Sequence, residues 1–133
     1  MISQLILDQG QYDEMLQHVT ADVPLEACGL LAGSNGRVGK VILVRNQAQS
    51  PVRFVMDPYE QLQALEWIDA QGLNLIGIFH SHPAGPETVS PTDIKEAAYE
   101  VVHLVWSCLQ GRWTLRGFWI QDGQAQEVTV SVI

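Results

Sequence analysis

Asn74-Leu75-Ile76-Gly77-Ile78-Phe79-His80-Ser81-His82-Pro83 decides the fold of this chain. After Asn74 the run is apolar at odd and even positions alike up to Phe79, which predicts a central strand buried on both faces. Residues i and i+2 of a strand point to the same side, so His80 and His82 converge on one point. Pro83 ends the strand there, because it cannot continue a hydrogen-bonded ladder. Pro83, Gly85 and Pro86 force a loop. Ser90-Pro91-Thr92-Asp93 then starts a helix that runs to about Glu100: serine caps it, proline takes the first position, and a carboxylate follows at the third.

Strand end, loop and helix start bring Asp93 back toward the two histidines. Two neutral imidazoles and a carboxylate on a rigid element suit zinc, with a fourth position open to water. That is the arrangement of a catalytic rather than a structural zinc site. Blander readings exist for each part. A His-x-His pair alone more often packs or faces solvent, and Ser90-x-x-Asp93 alone is a helix cap. The two roles of Ser90 and Asp93 are compatible, since a first helical turn presents side chains as well as capping itself.

Working outward, Leu5 to Val19 reads as a helix, with Tyr12, Met15, Leu16 and Val19 at spacings of three and four. Pro24 to Gly33 is an apolar early strand carrying Glu26. Ser34-Asn35-Gly36 turns it into Arg37 to Arg45 as a hairpin. Asp57-Pro58-Tyr59-Glu60 opens a second helix, which sends Leu62, Leu65 and Ile68 inward and ends near Gly72. Three more strands follow at Val101 to Cys108, Trp113 to Gln121 and Ala125 to Val132, with Asp122-Gly123 turning the last hairpin. The expectation is an α/β fold in one domain, residues 1–133, without repeats, linkers or low-complexity stretches.

His80-Ser81-His82-Pro83, the seven residues from Pro83 to Val89, and Ser90-x-x-Asp93 together resemble the signature of the JAMM (MPN+) metalloproteases. That family also places a glutamate on an early strand, and Pro24-Leu25-Glu26-Ala27-Cys28-Gly29-Leu30-Leu31-Ala32-Gly33 matches that segment. The resemblance implies an MPN domain, related to the cytidine-deaminase fold, with a mixed curved sheet flanked by helices. It implies one zinc ion held by His80, His82 and Asp93. It makes Glu26 the general base and gives the Ser90 hydroxyl the task of stabilising the oxyanion. The implied reaction is hydrolysis of an amide bond next to the C-terminal glycine of a ubiquitin-like or sulfur-carrier protein. The chain is too short for the insertions with which eukaryotic relatives grip ubiquitin, so it resembles the compact prokaryotic members. Read without the resemblance, Glu26 is a solvent-facing strand residue. Its uncharged neighbours Ala27 to Ala32 argue against that, because a carboxylate among them costs free energy unless a cation is near.

Composition sets the outer bounds. With 133 residues and 47% apolar content the chain can bury about two thirds of its unfolded surface. A net charge of −8 argues against nucleic-acid binding and favours a basic partner through steering. No apolar run approaches a membrane span and Met1-Ile2-Ser3-Gln4-Leu5 is no signal peptide, so a cytoplasmic location without membrane contact is the expectation. A homodimer is left open. Cys28 and Cys108 read as buried free thiols. Cys28 shares strand parity with Glu26, and as a fourth zinc ligand it would close the open position. His103 reads as a core or edge residue, His18 as surface, and Trp67, Trp106, Trp113 and Trp119 as packing. Gln49 to Met56, with Val52, Phe54 and Met56 alternating, reads as an exposed edge strand onto which a substrate tail could add. The rival readings are a metal-free MPN scaffold in a protein assembly, a zinc deaminase and a DNA-repair relative. The intact ligand set opposes the first. The missing His-x-Glu and Pro-Cys-x-x-Cys elements oppose the second, and acidic charge opposes the third.

Overall fold

The computed structural model describes residues 1–133. In chain order the elements are β1 (Gln4–Leu7), α1 (Gln9–Asp22), β2 (Cys28–Ser34), β3 (Arg37–Val44), α2 (Pro58–Ala70), β4 (Asn74–His82), α3 (Pro91–Glu96), β5 (Val102–Leu109), β6 (Arg112–Gln121) and β7 (Gln124–Val132). The seven strands form one mixed sheet in the order β1-β3-β2-β4-β5-β6-β7, and β1 pairs with β7 to close it. The pairs β4–β5, β1–β7 and β1–β3 run parallel; the others are antiparallel hairpins or neighbours. Three of the tight turns share one chemistry. Asn35-Gly36, Gln110-Gly111 and Asp122-Gly123 all hold both residues at positive φ, the conformation whose twist matches that of the flanking strands.

β4 lies between β2 and β5 and is buried on both faces, as its apolar run predicts. On one face Phe79 joins Leu31, Leu104, Trp106 and, from α1, Met15 and Val19. On the other Ile78 joins Cys28, Leu30, Met56 and, from α2, Ala64. Strand alternation assigns His80 to this second face. Gly29 on β2 must be glycine: a Cβ there would run into the Phe79 ring and the Ile42 carbonyl.

Several elements differ from the sequence reading. Leu5 to Leu7 belongs to β1, not to the first helix. Asp8 starts α1 instead, its side chain accepting from Gln11 N while Gln11 reaches back to Asp8 N. Glu26 precedes β2, which begins at Cys28. α3 stops at Glu96 rather than Glu100. Leu62 is 56% exposed, and Ala64 and Ile68 form the buried stripe of α2. Gln49 to Met56 is a loop with one bridge, Asn46 to Met56, because Asn46 takes the backbone bonds that a strand partner would have used. His18 is half-buried, its Nε2 lying 3.2 Å from the Cys28 carbonyl oxygen. Cys28 and Cys108 are free thiols, the first buried and the second partly so. No helix is long and apolar enough to cross a membrane.

Candidate metal centre

His80 and His82 stand at the end of β4, and Asp93 comes from the first turn of α3. The two Nε2 atoms are 3.2 Å apart, and Asp93 Oδ2 lies 3.1 Å from each of them. The residues that sequence reading grouped as ligands therefore form a nearly equilateral triangle of lone-pair donors. Ligand atoms at about 2.0–2.1 Å from a tetrahedral zinc ion would be roughly 3.3 Å from one another. The triangle fits such an ion. A carboxylate oxygen of Glu26 and the two imidazole nitrogens also lie within 4.8 Å of one another. Glu26 is 2% exposed and its Oε1 has no hydrogen-bond partner, the condition of a carboxylate built to face a cation or a water beside one. The donor set accordingly suits a metal ion.

Each side chain is held by parts of the chain remote in sequence. The His82 ring bonds through Nδ1 to the Pro86 carbonyl at 2.8 Å, which leaves its Nε2 lone pair facing the site. Ser107 on β5 donates to the same carbonyl at 2.7 Å. His80 is fully buried with Phe54 stacked on it, ring centroids 4.6 Å apart and planes at 20°. Glu26 is fixed through its backbone: its N–H donates to Ser50 O, and Asn46 Nδ2 donates to its carbonyl. The next residue, Ala27, exchanges bonds with Ser81, giving N–H to Ser81 Oγ and taking Ser81 N–H on its carbonyl. Ser81 thus locks the glutamate segment to the strand that carries both histidines.

Ser90 and Asp93 serve as cap and as site residues together. Ser90 Oγ accepts from Asp93 N at 3.0 Å, and Asp93 Oδ2 accepts from Ser90 N at 2.8 Å. The same Oδ2 is the oxygen aimed at the imidazoles. Because the Ser90 hydroxyl accepts through a lone pair, its proton remains available to a substrate. Above the site, Arg53 forms a two-pronged ion pair with Glu96 and ties the Gln49–Met56 loop to α3.

Burial and hydrogen bonding together set the protonation states without a bound ion. Burial pushes Glu26 up to about 8, against the opposing pull of His82, while the Asp93 charge adds to the rise. Burial also pulls His80 below the ordinary imidazole value despite its bond to Asp93, so it is neutral and ready to bind a metal. For His82, burial acts downward, but the Asp93 and Pro86 bonds outweigh it and the net shift is upward. Burial would raise Asp93, yet the His80 and His82 bonds hold it far below the usual carboxylate range. Cys28 stands apart from this group. Its Sγ is 3.5 Å from Val44 O among apolar residues, and burial drives the thiol up to about 12, so it plugs no coordination position.

Sequence reading missed Asn46, Ser81, Ser107 and Phe54 as supports. Only Ser81 left a local signal, a small polar residue at the opposite parity to the two histidines in a doubly buried strand. The four tryptophans divide between core and surface: Trp106 is fully buried against Tyr12, whereas Trp67 is exposed.

A closed mixed sheet with helices on its faces, holding a His-x-His strand end against a capping carboxylate, defines a JAB/MPN-type domain with a metal-suited centre. The chain belongs to the prokaryotic homologs of the JAB domain, whose family model matches residues 8–121. It is 35% identical over 127 residues to the probable TtuB-protein conjugate cleaving protease of Thermus thermophilus, covering 95% of this chain and 82% of that one. It is 43% identical over 93 residues to the desampylase of Pyrococcus furiosus, covering 70% of this chain and 66% of that protein. Among solved structures, a protein from Desulfitobacterium hafniense superposes with a TM-score of 0.86 at 33% identity, covering 97% of this chain and 92% of its own.

Proposed function

We propose that this protein is a zinc-dependent protease that hydrolyses the amide bond following the C-terminal glycine of a ubiquitin-like or sulfur-carrier protein. The observation that carries the reading is the triangle of His80 Nε2, His82 Nε2 and Asp93 Oδ2 with the unpartnered Glu26 carboxylate beside it. The relatives named as proteases and desampylase support the substrate class.

His80, His82 and Asp93 would hold one zinc ion per chain. Zinc in such a site polarises a carbonyl and makes water acidic enough to attack near neutral pH. Glu26 takes the proton of the attacking water on its carboxylate and delivers it to the nitrogen of the leaving amine. Its raised affinity for a proton suits both halves of that transfer. The Ser90 hydroxyl donates to the carbonyl oxygen as negative charge builds there. The Pro86 carbonyl keeps the His82 proton on Nδ1, so the ring cannot turn its lone pair away from the site. Phe54 covers the His80 ring and keeps bulk water off that side.

The test is direct. Ubiquitin-like proteins bearing C-terminal extensions are incubated with the zinc-loaded protein, with and without a chelator, and the products are weighed by mass spectrometry. Cleavage after the glycine that stops on chelation is the expected result. Cleavage elsewhere, or undiminished activity in the chelator, defeats the reading.

A further inference from the structure

An imidazole that gives one nitrogen to a metal carries its proton on the other, and that proton needs an acceptor. His82 meets the need, because its Nδ1 bonds to the Pro86 carbonyl. His80 does not: its Nδ1 is buried and no protein group bonds to it. A second imidazole nearby is in the same condition. His103 of β5 is 3% exposed, and neither of its ring nitrogens has a partner of normal geometry. Packing alone does not account for a histidine there, since phenylalanine or leucine would leave no buried polar atom unsatisfied.

The strand register brings the two rings together. β4 and β5 run parallel, with Ile78 opposite His103 and His80 opposite Val105. Residues i and i+2 share a face, so His80 and His103 stand on one face of adjacent strands, one side-chain step apart. Phe54, stacked on the His80 ring, and Ile78 wall a cavity of about 190 Å³ that His103 also lines. Arg53 and Glu96, both solvent-exposed, stand at its rim, so water reaches it. A bound water needs roughly 10–15 Å³ of such space and two to four polar partners. Burial and the neighbouring His80 push His103 down to about 4, so at pH 7 the ring is neutral and offers one acceptor lone pair.

We propose that a water molecule bridges His80 Nδ1 and a ring nitrogen of His103, which makes His103 a positioning residue for the metal ligand. The water accepts a hydrogen bond from His80 Nδ1–H and donates one to the bare nitrogen of His103. The Tyr99 carbonyl beside the ring faces the protonated nitrogen of His103. The inference rests on His80 being a metal ligand, as proposed above. It gives His80 what Pro86 gives His82, a fixed tautomer with the Nε2 lone pair aimed into the site. His103 itself touches neither substrate nor ion.

Zinc affinity is read by competition with a chromophoric chelator in wild type, His103→Phe and His103→Gln, beside the urea midpoint of each chelated protein. His103→Phe should bind zinc about 10–100-fold more weakly, and His103→Gln, which keeps an acceptor, should recover most of the loss. In crystals of the zinc-loaded wild type, an ordered water should lie within hydrogen-bond distance of both His80 Nδ1 and a His103 nitrogen. Unchanged zinc affinity in His103→Phe, even with a lowered urea midpoint, would mark a packing residue and overturn the relay. Equal loss in both variants, or a protein group bonded to His80 Nδ1 in the crystal, overturns it as well and leaves the metal site standing. Should His103→Phe fail to fold, the crystal decides alone: water between the two rings sustains the relay, and rings without it end it. Failure of the wild type to bind zinc overturns the metal site and the relay with it.

Discussion

Glu26 and Ser107 carry the residue-scale predictions. Without metal, the folded-state pKa of Glu26, about 8, exceeds the ordinary glutamate value of 4.5, so its contribution to stability is full below the lower value and is lost as pH rises through the higher. His103 works in the opposite sense, with stability present above 6.5 and lost as pH falls toward 4. Between pH 6.5 and 8 the Glu26 effect is thus unopposed by His103. Urea unfolding of the chelated protein should show stability falling by up to about 2 kcal/mol across that window, with a shallower fall in Glu26→Gln. The upward shift of His82 acts in the same direction, its stabilisation also being lost as pH rises. Equal slopes would mean that Glu26 is ionised in the folded protein at pH 6.5. Ser107 acts through the Pro86 carbonyl on the His82 ring. Ser107→Ala should weaken zinc binding about tenfold in competition with a chromophoric chelator, the low end for loss of such support. Unchanged affinity would make Ser107 a packing residue. The proposed ligands were legible because the strand period places His80 and His82 together and a capping pattern marks Asp93. Asn46 and Ser107 were not, since their partners lie far along the chain and only the fold reveals them.

At the level of elements, β4 and α3 were readable and the N-terminal segment was not. Leu5 and Leu7 fit a two-residue period over only four residues, too short to outweigh the helical spacing of Tyr12, Met15 and Val19 that follows. The Asp8-x-x-Gln11 box was the signal that separates the two elements. The loop at Gln49 to Met56 alternates like a strand, yet its Val52 is 78% exposed and its backbone bonds go to Asn46. Side-chain competition for backbone groups does not show in a hydropathy pattern. Two substitutions test the elements. Gly29→Ala should destabilise the protein by about 1–3 kcal/mol by forcing the Phe79 ring out of place, read as a lowered urea midpoint. Ser90→Ala removes the α3 cap and the proposed oxyanion donor, so it should cost about 1 kcal/mol of stability and lower kcat with zinc still bound. An undiminished kcat would confine Ser90 to capping.

For the whole molecule, closure of the sheet through β1 and β7 was beyond sequence reading, because it joins the two ends of the chain with no local mark. The pairing of the three central strands explains how the site is assembled. β2, β4 and β5 lie side by side, so Glu26 before β2, the histidines on β4 and Ser107 on β5 meet at one end of adjacent strands. Metal binding should therefore stabilise the entire fold, since those segments converge only when it is formed. Zinc at one hundred times its dissociation constant should add about 2.7 kcal/mol, seen as a higher Tm that falls back on chelation. The most direct test of the central claim sets zinc stoichiometry beside turnover in wild type and Glu26→Gln. The account predicts one zinc per chain in both and loss of nearly all turnover in the variant; a zinc-loaded Glu26→Gln that cleaves at the wild-type rate would contradict it.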